Sequence, residues 1–83
     1  MKPIINHEED LKKAKKLSDR IVKNVRKNSF GEMYYDPDFD FALNTSTSNV
    51  RNIVLETLDK SGVEVYTDLH QNGKSKIYHF LAD

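Results

Sequence analysis

His70 and His79 are the residues best suited by type to acid–base chemistry, because imidazole titrates near neutral pH. The segments around them, 63–70 and 74–81, alternate apolar and polar residues, as strands with one buried face do. Asn72-Gly73 between them is a favoured dipeptide for a type I′ hairpin turn. A two-residue loop there pairs Gln71 with Lys74, which sets His70 opposite Ser75 and His79 opposite Tyr66. Tyr66, Asp68, His70, Ile77 and His79 then share one face. The two histidines stand several residues apart along the ladder, too far for one hydrogen-bonded pair, so a small histidine nuclease is a poor fit. The three glycines form no phosphate-cradling loop, and there is no helix-spaced His pair. The chain has no cysteine, which removes disulfides and Cys-ligated zinc. These residues predict a protein that is not an enzyme, with no metal and no cofactor.

The elements that carry these residues follow from periodicity. Leu11, Ala14, Leu17, Ile21 and Val25 recur at three- and four-residue steps and predict a long helix over 7–28, with Val22 widening the stripe. Asn6 is a good N-cap and Glu9 completes a capping box. Glu8, Glu9 and Asp10 at the start and Arg26 and Lys27 at the end suit the helix dipole. Lys12, Lys13, Lys16, Arg20, Lys23 and Lys27 fill the other face. Ile4 and Ile5 are expected to cover one end of the core, and Asn28-Ser29-Phe30-Gly31 ends the helix.

Residues 32–43 admit two readings. Glu32-Met33-Tyr34-Tyr35 reads as a short strand. Asp36-Pro37-Asp38 is a helix-start signal, giving a short helix over 38–43. Alternatively, the alternation Phe39-Asp40-Phe41 makes this stretch a second strand. A second helix from Ser48 to Ser61 is capped by Ser46 or Ser48 and carries Val50, Ile53, Val54, Leu55 and Leu58. Gly62 stands where a left-handed residue is wanted. On the hairpin, Val63, Val65 and Leu69 are expected to face the core with Tyr78 and Phe80. The sum is a small α+β protein, read as a single domain over 1–83.

Thirteen basic and thirteen acidic residues balance overall but not along the chain. Residues 1–28 carry nine Lys/Arg against four Asp/Glu, net +5; residues 29–83 carry four against nine, net −5. Such polarity fits one face that meets an anion or an acidic partner. A chain this short buries only about 60–65% of its unfolded surface, so homodimerisation is one way to add core. No apolar run approaches the roughly 20 residues that span a bilayer. Charge follows the N-terminus where a secretory segment would be apolar, and the protein is expected to be cytoplasmic with no membrane partner.

From Phe41 onward, the run Phe41-Ala42-Leu43, Asn44-Thr45-Ser46, the amphipathic stretch Thr47 to Ser61 and the hairpin over 63–81 resembles the second half of a winged helix-turn-helix domain. The resemblance implies a short helix, a turn at Asn44-Thr45-Ser46, a recognition helix from Thr47 and a two-stranded wing. The long helix and a strand over 33–35 fill the earlier positions. It also implies nucleic-acid binding, with Thr47, Ser48, Asn49, Arg51 and Asn52 facing the major groove and Lys74 and Lys76 on backbone phosphate. Arg can bond a guanine edge and Asn an adenine edge, while Ser and Thr suit phosphates. Asp36, Asp38 and Asp40 run against that expectation, as do Glu56 and Asp59 beside Arg51 and Lys60.

The strand reading of 32–43 leads elsewhere, to an α-β-β-α-β-β order with a four-stranded antiparallel sheet. Tyr34, Tyr35, Asp36, Asp38, Tyr66 and Asp68 would then present an acidic-aromatic face. That face suits an inhibitor or adaptor docking on another protein. RNA binding through the lysine helix and exposed aromatics is a compositional variant of the first reading.

Overall fold

The computed structural model describes residues 7–28 and 31–82, with the backbone alone for His7. Asn6, Ile4, Ile5, Ser29 and Phe30 lie outside the described residues, so the capping box and the cover of the core end do too. Helix α1 spans His7–Lys27, strand β1 Tyr34–Tyr35, helix α2 Pro37–Thr45, helix α3 Ser48–Lys60, and strands β2 and β3 Val63–Leu69 and Lys76–Ala82. The fold is α+β, with the expected long first helix and one antiparallel three-stranded sheet in the order β1-β3-β2.

Residues 37–45 are helical, which rules out the four-stranded alternative. The local cause is the cap. Asp36 is extended and its Oδ1 accepts from the Asp38 N–H at 2.9 Å, while Pro37 occupies the first turn, where a missing N–H costs nothing. Once helical, Phe39 and Leu43 stand four residues apart and are both buried, and Phe41 is left 72% exposed. The apparent Phe39-Asp40-Phe41 alternation is therefore one inward and one outward ring of a helix.

Helix α3 is capped by Thr47, not by Ser46 or Ser48: Thr47 Oγ1 accepts from the Val50 N–H at 3.2 Å. Ser46 instead closes α2, its N–H donating to Leu43 O at 3.3 Å. Asn44 and Thr45 belong to the last turn of α2, so the turn between the helices is Ser46-Thr47, not Asn44-Thr45-Ser46. Gly62 follows α3 with φ +81°, as a residue free of a Cβ allows.

The core lies between the helices and one sheet face. Ala14, Leu17, Ile21 and Val25 of α1 meet Val50, Val54 and Leu58 of α3, Phe39 and Leu43 of α2, and Val63, Tyr78 and Phe80 of the sheet. Phe39 and Phe80 meet edge to face at 6.3 Å. Leu11 is 52% exposed, to one side of the buried stripe and a turn before Ala14, the first buried residue of α1 among the described residues. Ser18 is buried in its place, its hydroxyl donating to Ala14 O at 2.7 Å. Leu69, expected inside, is 69% exposed, on the last residue of β2 and opposite the exposed Lys76.

The hairpin keeps the expected register, with Tyr66 opposite His79 and His70 N–H donating to Ser75 O at 2.8 Å. Its loop differs. Asn72 does not adopt the positive φ that a type I′ turn needs, and only Gly73 does, at +70°. Gly73 N–H bonds His70 O at 2.8 Å, and Asn72 Oδ1 accepts from Lys74 N–H at 2.8 Å and Ser75 N–H at 3.1 Å. The Asn72 side chain thus organises a longer loop that leaves the pairing unshifted. No helix among the described residues is long and apolar enough to cross a membrane.

Candidate nucleic-acid interface

Strand β1 pairs with β3 only at Tyr34–Phe80 and Tyr35–His79, so most of one edge of β3 has no strand beside it. Helix α2 covers that edge with two side chains one turn apart. Asp40 Oδ1 accepts from Tyr78 N–H at 2.8 Å, Asn44 Oδ1 accepts from Lys76 N–H at 2.9 Å, and Asn44 Nδ2 donates to Lys76 O at 2.8 Å. These bonds satisfy backbone groups that an uncovered edge would leave open. They also fix where Lys76, and the hairpin beyond it, stands relative to α2. The sequence signal is the i,i+4 spacing of Asp40 and Asn44, which a turn at Asn44-Thr45-Ser46 obscures.

The end of α2 is tied in turn to α3. Arg51 Nε donates to Leu43 O at 3.0 Å and Nη2 to Ser46 O at 3.1 Å. A cation at a helix C-terminus is favourably placed against the dipole and supplies partners to orphan carbonyls. Hairpin, α2, turn and α3 thus form one bonded series: Lys76, Asn44, the α2 terminus, Arg51.

The residues expected to face nucleic acid divide by what they touch. Thr47 caps α3. Asn49 Nδ2 donates to Asp10 Oδ2 on α1 at 2.8 Å, tying the starts of the two helices together. Arg51 is partly buried and holds α2. Ser48 and Asn52 are exposed and one turn apart on α3. Lys74 and Lys76 are exposed on the hairpin. The three acids of α2 are similarly divided: Asp36 caps the helix and accepts from Tyr34 Oη at 3.2 Å, Asp40 holds β3, and Asp38 is exposed.

The outer face of the sheet carries a second group. Tyr35, His79 and Tyr66 occupy facing positions across β1, β3 and β2, and the Tyr35 and His79 rings lie 5.3 Å apart. Tyr66 Oη donates to Glu64 Oε2. Tyr35 and Tyr66 are each nearly half exposed. Tyr34 points the other way, its ring 6.2 Å from Phe39. Tyr34, Tyr35 and Tyr78 titrate above the usual phenol value. Burial and the Asp36 carboxylate raise Tyr34, a hydrogen bond to Asp40 chiefly raises Tyr35, and burial raises Tyr78 against the opposing charge of Arg51. His70 lies in the loop, its Nδ1 3.4 Å from the Asn72 N–H, and four positions along β2 from the residue facing His79, about 13 Å on strand geometry. The two histidines are not brought together.

The chain matches no family model, no curated protein and no solved structure.

Proposed function

We propose that this is a small nucleic-acid-binding regulatory protein with a winged-helix-like surface formed by the start of α3 and the β2–β3 hairpin. The order helix, strand, two helices and hairpin, with β3 in the middle of the sheet, supports the reading. The observation that carries it is the bonded series from Lys76 through Asn44 to Arg51, which links the hairpin to the start of α3 through the end of α2. On that surface Ser48 and Asn52 are the side chains available to bases or phosphates, and Lys74 and Lys76 to backbone phosphate. Thr47, Asn49 and Arg51 act by positioning them. The protein works as a binder, in the cytoplasm, without catalysis or cofactor.

The test is a titration of labelled duplex DNA and single-stranded RNA with the full chain at rising salt. Binding that weakens steeply with salt supports the reading; absence of binding to either at low salt overturns it. Asn52→Ala is expected to narrow the difference between preferred and random sequences without changing fold.

A second reading, a protein-binding inhibitor or adaptor, is favoured by the Tyr35–His79–Tyr66 row, whose two tyrosines are exposed on either side of a half-buried His79 and flanked by Glu64 and Asp68. Tyrosines rimmed by acids suit a basic docking surface. It requires a single protein retained at constant stoichiometry after nuclease treatment, and lost with Tyr35→Ala/Tyr66→Ala. Retention by that double variant would remove this face from consideration.

A further inference from the structure

The strongest concentration of charge on the molecule lies outside α3 and the hairpin. Ala14, Leu17, Ile21 and Val25 turn one side of α1 into the core. At 3.6 residues per turn, Lys12, Lys16, Arg20, Lys23 and Lys27 fall within about 80° of arc on the opposite side. All five are exposed. Successive members are three or four residues apart, a rise of about 4.5–6 Å, and the row runs about 22 Å. The acids of α1 are Glu8, Glu9 and Asp10 in its first turn, of which Glu9 falls in the same arc at the start of the row, and Asp19 beside the row. Among the described residues the ion pair within 4 Å is Lys60–Glu56 on α3, so these cations have no carboxylate partner there. Arg20 is steadied differently, its guanidinium 5.7 Å from the centre of the Phe39 ring on α2.

We propose that this side of α1 is a phosphate-binding surface that tracks the backbone of a nucleic-acid duplex. The inference rests on the nucleic-acid reading above and assigns most of its affinity to a different element. Charge complementarity selects the occupant. A straight row of regularly spaced cations matches a polyanion better than a single phosphate group. Over about 22 Å of its axis, duplex DNA offers about 13 negative charges. An anionic membrane is the poorer match, because the apolar stripe of α1 is buried and the exposed side has no hydrophobic residue to insert. Lysines and one arginine on phosphate give affinity without sequence information, so such preference as the protein has comes from α3 and the hairpin.

The experiment uses the full chain, a fluorescent duplex of about 20 bp with random sequence, and anisotropy between about 50 and 200 mM salt. Three proteins are compared: wild type, Lys12→Gln/Lys16→Gln/Lys23→Gln/Lys27→Gln, and Asn52→Ala/Lys74→Gln/Lys76→Gln. Removing four cations should reduce the slope of log affinity against log salt by about 3–4 and weaken binding at the lowest salt at least tenfold. Should the fourfold variant fail to fold by circular dichroism, Lys16→Gln/Lys23→Gln alone should reduce the slope by about 2. An α1 variant that binds like wild type while the α3–hairpin variant loses binding overturns the α1 surface and leaves the nucleic-acid reading standing. A wild type that binds no duplex at low salt overturns both. Wild type that prefers phosphatidylserine vesicles to the duplex makes α1 a membrane-facing helix and overturns the proposal.

Discussion

Helices α1 and α3 pack against each other and use their polar residues in opposite ways. At the start of α3, Thr47 caps, Asn49 bonds Asp10, and Arg51 bonds two carbonyls at the end of α2. On α1, Lys12, Lys16, Lys23 and Lys27 stand exposed with no ion-pair partner among the described residues. The start of α3 has polar groups that hold the fold, and the lysine row of α1 has charges that do not. Residue types alone favour the reverse assignment, since Asn, Arg, Ser and Thr before an amphipathic run look like a recognition surface. The same types are also capping and bridging residues, and geometry decides between the two uses.

The largest expected effect is that of Arg51→Ala. It leaves Leu43 O and Ser46 O without their charged donor and loosens the α2–α3 junction. A destabilisation of about 2 kcal/mol is expected, since bonds from a charged donor contribute about 1.5–3 kcal/mol each and this site is partly solvated. For a chain of this size that lowers Tm by roughly 8–16 °C. An Arg51→Ala protein with unchanged Tm but weakened nucleic-acid binding would return Arg51 to the ligand surface and undo the contrast between the helices.

Alkaline pH should separate the regions next. Tyr34, Tyr35 and Tyr78 all lie in the sheet, and α1 has no tyrosine. Their titration is raised above the model-compound value of 10.0, so the folded state prefers the neutral phenol. Their contribution to stability is whole below pH 10 and is lost as pH rises above it, when the unfolded chain releases its phenolic protons first. Thermal melts from neutral to strongly alkaline pH should show Tm falling beyond pH 10, and Tyr78→Phe should flatten that fall. A Tm insensitive to pH in this range would mean that the sheet holds its phenols no differently from the unfolded chain.

How far the sequence revealed this arrangement depends on the length of the periodic signal. Helix α1 is legible because five turns repeat one pattern, and even there Leu11 at the margin of the stripe was misplaced. Helix α2 is nine residues, too short for period to separate helix from strand, and the cap Asp36-Pro37 was the better guide. The hairpin register was legible, but the loop was not, because Asn72 acts through its side chain in place of a left-handed backbone. The roles of Asp40, Asn44 and Arg51 are long-range: each bonds an element that the local pattern does not mention. Charge on α1 was visible from the first; what sequence could not give was that its cations lack carboxylate partners among the described residues.

A smaller effect is expected from Thr47→Ala, about 1 kcal/mol, because one N–H at the start of α3 loses its acceptor. Urea unfolding reads it as a lower midpoint with unchanged slope. Ser48→Ala, which removes an exposed hydroxyl with no capping bond, should stay within about 0.5 kcal/mol of wild type. If the two substitutions cost the same, the cap is not what sets the start of α3, and Thr47 rejoins Ser48 as a residue available for contact.

The smallest effect on stability belongs to α1, and its sign carries the argument. Lys12–Lys16, Lys16–Arg20 and Lys23–Lys27 are like charges one turn apart, each pair unfavourable by roughly 0.2–0.5 kcal/mol. Replacing Lys12, Lys16, Lys23 and Lys27 by Gln removes this repulsion at almost no cost in helix propensity. Against it stand the Glu8–Lys12 and Asp19–Lys23 pairs, favourable by a similar amount each, and Lys27 at the favourable end of the helix dipole, so the net gain of the fourfold variant is expected to lie between zero and about 1 kcal/mol. The difference should shrink in about 0.5 M salt, where screening relieves the same repulsion in wild type. Urea melts at low and high salt measure both quantities. A fourfold variant less stable than wild type would show that these ammonium groups support the fold, as Arg51 does. A variant that is more stable only at low salt would show a row of charge kept against the stability of its own helix, which is what a surface made to meet a polyanion requires.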